Sequence, residues 1–175
     1  LQVGDAVRVD KQCFGFLIVN QLAAGKDLWL LASGTGIGPF VSILLDPTVW
    51  RDFEHLILVH SVRQASELAY REEIAALPLR MSIPAGQAQL PARLSYIPIV
   101  TRQPGASAFS ARIPALLSDG RLEQAAGTPL TVEASRVMAC GNPEMTRELR
   151  EILSQRGFAT NRRSVPGQMA FEKYW

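Results

Sequence analysis

The chain has 175 residues, 47% of them hydrophobic and 19% charged, with a formal net charge of +2. That composition suits one globular unit with a sizeable core and excludes a disordered segment. So small a charge gives no general footprint for nucleic acid, and no stretch reaches the length of a membrane span.

Residues 3–19 alternate in short bursts, Val3, Val7 and Val9, then Phe14, Phe16, Ile18 and Val19 around Gly15. The pattern predicts two short antiparallel strands with a turn near residues 10–12. Two strands alone are marginal in water, so they are expected to complete a sheet or barrel begun upstream. The chain opens on Leu1 and reads like the middle of a domain, which raises the expectation of a preceding segment. Residues 21–26 read as a linker.

Residues 28–40, LWLLASGTGIGPF, are the stretch the rest is organised around. An apolar run predicts a buried strand that ends where Ser33, Gly34, Thr35, Gly36 and Gly38 begin. Pro39 fits the first turn of a helix that continues through Phe40, Val41, Ile43, Leu44 and Leu45. The free N–H groups and positive dipole end of such a helix face an anion, most naturally a phosphate. The spacing is G-x-G-x-G-P, neither the G-x-G-x-x-G dinucleotide fingerprint nor a P-loop. Taken alone it fits an anion site or a tight connection.

Strand and helix then alternate. Residues 55–60 (HLILVH) form a continuous apolar run, as in a parallel strand covered on both faces. Residues 65–77 have helical spacing, with Ser66 as N-cap. Residues 78–95 read as a loop. Residues 96–101 (YIPIVT) are a strand that Pro98 places at an edge. Short helices follow at 113–117 and 121–126. Residues 136–140 (RVMAC) are a fourth strand, and Gly141, Asn142 and Pro143 repeat the earlier logic of strand, glycine turn and helix. That helix carries Met145, Leu149, Ile152 and Leu153 at core spacing. Residues 158–165 complete the set as a fifth strand. The expected fold is α/β, a doubly wound five-stranded parallel sheet preceded by remnants of an antiparallel β-barrel.

Ligands of such sheets sit at the carboxyl ends of the strands. Four punctuated ends carry candidate chemistry there: residues 34–39, 61–63, 101–102 and 140–143. Arg63, Arg102 and Arg112 offer planar forks suited to a phosphate, or are ordinary surface charge. Asn142 suits an N-cap. The Thr35 hydroxyl suits a local turn bond. His55 and His60 flank a buried strand and read as structural. Arg162 and Arg163, behind Arg147, Arg150 and Arg156, form solvated helix faces or a local basic face. Cys13 and Cys140 lie far apart with no CxxC pattern, which argues against a metal site or disulfide framework and fits a reducing, cytoplasmic compartment. No signal peptide is evident.

The stretches LASGTGIGPFVSIL, LVHSVR, IVTR with SARIPALL, VMACGNPEM and the closing EKYW resemble ferredoxin–NADP reductases, of the bacterial type with an aromatic C-terminal end. The resemblance runs over the whole chain. It implies two domains: residues 1–25 as the last strands of an FAD-binding barrel, and residues 26–175 as an NADP-binding α/β domain with an aromatic tail. The barrel motif R-x-Y-[ST], which grips FAD, is absent from this sequence. The resemblance assigns Gly34, Gly36, Gly38 and Pro39 to the pyrophosphate and Thr35 to the flavin. Val62, Arg63, Thr101, Arg102 and Arg112 line the nucleotide, and the three arginines among them select its 2′-phosphate. Gly141, Asn142, Pro143, Glu144 and Glu148 contact it from the second turn. Cys140 positions the nicotinamide, Glu172 assists proton delivery, and Tyr174 and Trp175 pack on FAD. The implied activity is electron transfer between NADP(H) and ferredoxin or flavodoxin through FAD. Two alternatives stay open: the reductase component of an oxygenase, or an isolated nucleotide-binding module. The implied protein is a cytoplasmic monomer with no metal, nucleic-acid or membrane partner.

Overall fold

The computed structural model describes residues 2–11, 15, 17–81, 92–162 and 165–173. Its frame is one sheet of five parallel strands, β1 (Asp27–Ser33), β2 (His55–Val62), β3 (Arg93–Val100), β4 (Ser135–Gly141) and β5 (Met169–Lys173). They lie in the order β3-β2-β1-β4-β5. The order reverses beside β1, the topological switch point at which open α/β sheets bind ligands. β1 and β4 are central and almost wholly buried, and so beyond their first residues they read as apolar runs.

Among the described residues six helices cover the two faces: α1 (Ile37–Leu44), α2 (Pro47–Asp52), α3 (Arg71–Arg80), α4 (Ile113–Ser118), α5 (Arg121–Ala126) and α6 (Pro143–Gln155). Alternation along β1 divides the core. Leu28, Leu30 and Ala32 pack with Phe40, Leu44, Trp50, Ile74 and Leu77 of α1–α3. Trp29 and Leu31 pack with Leu116, Leu122, Leu149 and Leu153 of α4–α6. The fold is therefore doubly wound, as expected, and each fully buried Leu contributes roughly 1.5–3 kcal/mol of transfer free energy.

Four local expectations are corrected. Residues 65–77 are not one helix. Ala65–Glu67 is a 3-10 turn closed by a Gln64–Glu67 capping box, Tyr70 takes a left-handed conformation (φ 62), and α3 starts only at Arg71. Ser66 therefore lies inside the turn and caps nothing. The stretch 78–95 is not all loop: α3 runs to Arg80 through Pro78, and β3 begins at Arg93. The fifth strand is Met169–Lys173, not 158–165. Arg162 and Val165 exchange backbone hydrogen bonds, and Phe158 is a buried anchor. A Cβ at Gly167 would lie 2.5 Å from the Ala159 carbonyl oxygen, so this tight reversal, which meets β5 in an isolated bridge from Thr160 to Met169, feeds β5 into the sheet.

The described residues before β1 form no paired strand, only a 3-10 turn at Val19–Gln21. The expected turn at 10–12 and both phenylalanines Phe14 and Phe16 fall partly or wholly outside the described residues, as does Cys13. The linker is firmly docked. Arg136, at the start of β4 and 5% exposed, donates to the carbonyls of Ala23 (2.8 Å), Ala24, Val132 (2.9 Å), Glu133 and Ser135. A Cβ at Gly25 would lie 2.7 Å from the Arg136 stem, so the linker can pass only as glycine.

Candidate active site at the strand ends

Two turn-to-helix units meet at the carboxyl edge. After β1, residues Gly34–Gly36 form a 3-10 turn that leads into α1, with Gly36 as N-cap and Pro39 in the first helical turn. After β4, Gly141 (φ +133) leads into Asn142, whose Oδ1 accepts from the N–H groups of Glu144 (2.9 Å) and Met145 (3.2 Å) and so caps α6. The two units touch backbone to backbone. A Cβ at Gly36 would lie 2.6 Å from the Cys140 carbonyl carbon and closer still to its oxygen. A Cβ at Gly141 would lie 2.6 Å from the Ser33 carbonyl oxygen. Ser33 Oγ seals the contact by accepting from the Asn142 N–H at 2.9 Å.

His60, read from the sequence as structural, supports this edge from below. Its Nε2–H donates to the Gly34 carbonyl at 3.0 Å, and the Tyr96 hydroxyl lies 3.5 Å from Nδ1. Burial holds the imidazole below its usual pKa, so the neutral donor form is the one present. Thr35 is exposed on top of the turn.

The ends of β2 and β3 carry two of the three arginines side by side. The Thr101 N–H and hydroxyl both donate to the Val62 carbonyl (2.9 and 3.1 Å), and the Arg102 N–H donates to the Arg63 carbonyl at 2.9 Å. The Arg63 guanidinium pairs with Glu67 at 2.7 Å. Arg102 is exposed and makes no ion pair among the described residues. Arg112, the N-cap of α4, reaches α6, where Glu144 and Glu148 each stand 3.4 Å from its Nη2. Residues 34–39, 61–63, 101–102 and 140–143 thus all lie at the carboxyl ends of adjacent strands, as the topology requires.

Cys140 is fully buried, and its thiol is pushed up to about 11, chiefly by burial and then by the charge of Glu172. It keeps its proton at neutral pH and is no nucleophile. Glu172 is its register partner on β5. A Cβ at Gly15 would lie 3.7 Å from Glu172 Oε1, which brings Gly15 up to this side of the sheet. Tyr174 and Trp175 lie outside the described residues. No cluster of metal ligands occurs among the described residues, and no helix there is long and apolar enough to cross a membrane.

Sequence reasoning did not single out Ser33 or Glu67. Glu67 carried a readable signal, an acid four residues after Arg63. Ser33 carried none, because its role depends on a residue more than a hundred positions away. Of the basic cluster, Arg163 lies outside the described residues, and Arg147, Arg150 and Arg156 are committed internally. Arg156 pairs with Glu123 at 3.0 Å, Arg147 with Glu151 at 3.6 Å, and Arg150 lies 4.4 Å over the Phe171 ring.

A family model described as an oxidoreductase NAD-binding domain matches residues 30–151, from β1 through most of α6. A flavodoxin/ferredoxin–NADP reductase of Shigella flexneri is 37% identical, with 100% of this chain and 67% of the relative covered. The chain belongs to the ferredoxin–NADP reductase family. The reductase of Escherichia coli (strain K12) is 36% identical over the same shares. Among solved structures, a ferredoxin NADP+ reductase from Neisseria gonorrhoeae with bound FAD and NADP superposes with a TM-score of 0.82 at 36% identity. That match covers 95% of this chain and 63% of the solved one. A flavohemoglobin from Malassezia yamatoensis, 18% identical with a TM-score of 0.63 over 93% of this chain and 36% of its own, shares the fold. The chain therefore spans about two thirds of the length of its reductase relatives.

Proposed function

We propose that this chain is the coenzyme-binding part of a reductase that passes electrons between NADP(H) and ferredoxin or flavodoxin through FAD. The observation that carries the reading is the pair of glycine turns locked backbone to backbone beside three arginines at the sheet's switch point. Residues 26–175 form the nucleotide domain, and residues 1–25 belong to a preceding flavin barrel. Gly15 against Glu172 and the Arg136 clasp support that division. We read the enzyme as a cytoplasmic monomer; its described cysteine is free and buried.

The residues present fit an adenine dinucleotide phosphate. Gly34, Thr35, Gly36 and Gly38 lead into a helix N-terminus flanked by Pro39, a cradle for pyrophosphate. Arg63, Arg102 and Arg112 supply guanidinium groups for a 2′-phosphate, and Val62 and Thr101 line the ribose side. Glu144 and Glu148 hold Arg112 in reach. Gly141, Asn142 and Pro143, with the small Cys140, form a floor that a flat ring can approach. For FAD the fit is one-sided: Thr35, Glu172, Tyr174 and Trp175 belong to this chain, and the rest of the site does not. Bound FAD supplies hydride acceptance and one-electron release. Glu172 holds or passes a proton at its carboxylate, and Cys140 stays a thiol throughout.

Calorimetry of the chain with NADP+ and NAD+ tests the reading. NADP+ is expected to bind at least about tenfold tighter, the value of one hydrogen bond to a charged group. Arg102→Ala and Arg112→Ala should erode that preference and leave NAD+ affinity alone. Equal affinity for both coenzymes in the unaltered chain removes the 2′-phosphate role.

A further inference from the structure

The three arginines are held in different ways. Arg112 has two carboxylates at 3.4 Å, longer than an ordinary hydrogen bond. Arg102 has its backbone fixed and its guanidinium unpaired among the described residues. Only Arg63 is gripped at short range. Its Nη2 donates to Glu67 Oε1 at 2.7 Å. The other oxygen, Oε2, accepts from the backbone N–H groups of Arg63 (2.8 Å) and Gln64 (3.0 Å). The Gln64 side chain in turn accepts the N–H of Glu67.

One carboxylate therefore fixes both the backbone where β2 ends and the side chain that leaves it. An exposed ion pair four residues apart contributes little by itself. Here the same group also closes two backbone hydrogen bonds, so the acceptor that orients the Arg63 guanidinium is itself fixed before any ligand arrives. The pair occupies one edge of the guanidinium and leaves the rest of the planar fork for an incoming anion. The Arg63 guanidinium holds the Glu67 carboxyl down at about 2, so it stays charged at every pH at which the protein works.

We infer that Glu67 is a positioning residue for coenzyme choice, presetting the Arg63 guanidinium at the end of β2 to receive the 2′-phosphate. The inference rests on the NADP(H) reading above. Pre-ordering a rotamer-rich side chain lowers the cost of binding, and the gain appears only for ligands that use that side chain.

The test is calorimetric titration of the chain with 2′,5′-ADP and with 5′-AMP, which lacks the second phosphate. Glu67→Ala should weaken 2′,5′-ADP by about three- to tenfold, the size of one ordinary hydrogen-bonded orientation, and leave 5′-AMP unchanged. Glu67→Gln keeps an acceptor and should recover affinity to within about twofold of the unaltered chain. Unchanged 2′,5′-ADP affinity in Glu67→Ala overturns the inference while the coenzyme reading stands. Equal weakening of both ligands also overturns it, because that is the mark of a merely structural residue. An unaltered chain with no preference for 2′,5′-ADP removes the coenzyme reading and this inference together.

Discussion

Gly36→Ala tests whether the site is set by backbone contact. Gly36 has φ −61 and ψ −4, a conformation open to any residue, so the substitution carries no backbone penalty. Its whole cost is the new methyl group, 2.6 Å from the Cys140 carbonyl carbon and 2.9 Å from the Gly141 nitrogen. Restoring an ordinary contact of about 3.5 Å requires the two turns to part by roughly 1 Å. Both neighbours are backbone in the sheet's centre, so no side chain can rotate away. Parting them strains the Ser33–Asn142 bond and the last rung of the β1–β4 ladder, Ala32 with Cys140. Overpacking of this kind costs typically 1–3 kcal/mol, and a backbone obstacle places it near about 3. For a chain of this size that lowers the melting temperature by roughly 6–12 °C. Gly38→Ala is the control. Nothing lies within 4 Å of a Cβ there, and the position is inside α1. Alanine should raise stability by up to about 1 kcal/mol through helix propensity. On the proposed reading the same methyl should weaken NADP+, because it would stand where the pyrophosphate approaches. Thermal melts by circular dichroism and calorimetry with NADP+ read both effects. A Gly36→Ala chain that melts within about 2 °C of the unaltered one would refute the contact argument.

Two further outcomes follow from buried polar groups. Arg136→Met keeps the stem's bulk and strips the donors from at least five carbonyls, of Ala23, Ala24, Val132, Glu133 and Ser135. Water can reach some of them at the rim, so the expected loss is about 3 kcal/mol in urea unfolding, with faster proteolysis at residues 22–26; unchanged midpoint and cleavage would show that the clasp does not hold the linker. His60 gives the fold an acid limit. The unfolded imidazole titrates near about 6.5 and the buried one lower, so its contribution is complete above that value and is lost as pH falls through the depressed folded value, by at most about 1.4 kcal/mol per pH unit. Urea midpoints compared between about pH 7.5 and 5.5 should fall less steeply in His60→Gln than in the unaltered chain, and parallel slopes would count against this assignment.

The parts of the fold that were legible in sequence are those buried on two faces. β1, β2 and β4 are continuous apolar runs because no face of them meets water. β5 was missed because its pattern fades from buried Met169 and Ala170 to exposed Lys173 within five residues. Residues 158–165 looked more strand-like by composition, yet their backbone closes on itself around Arg162 and Val165. The break at Tyr70 was hidden for a similar reason. Helical spacing at Leu68, Ile74 and Leu77 survives the interruption, since all three still point into the core. In the site, the glycine turns and arginines could be read from their own residues. Their supports, Ser33 for Asn142 and His60 for Gly34, are pairings across the sheet that no local pattern encodes.

The two ends of the site are built from different materials, and that decides how each responds to change. Where the turns after β1 and β4 meet, the geometry is set by main chain against main chain, with glycine as the condition for contact. Any displacement there is paid in stability, so on the proposed reading the pyrophosphate and ring positions are tied to the fold itself. Around Arg63, Arg102 and Arg112 the geometry is set by exposed side chains, two of them held by carboxylates. Exposed charges contribute little to folding, so they can be exchanged with little loss of stability. On that reading, selection between coenzymes is separable from the placement of the reacting ring. The carboxylates make that separation workable: a cluster of unrestrained guanidinium groups repels itself and binds any anion, whereas Glu67, Glu144 and Glu148 neutralise two of the three and leave Arg102 as the least restrained charge facing an incoming phosphate.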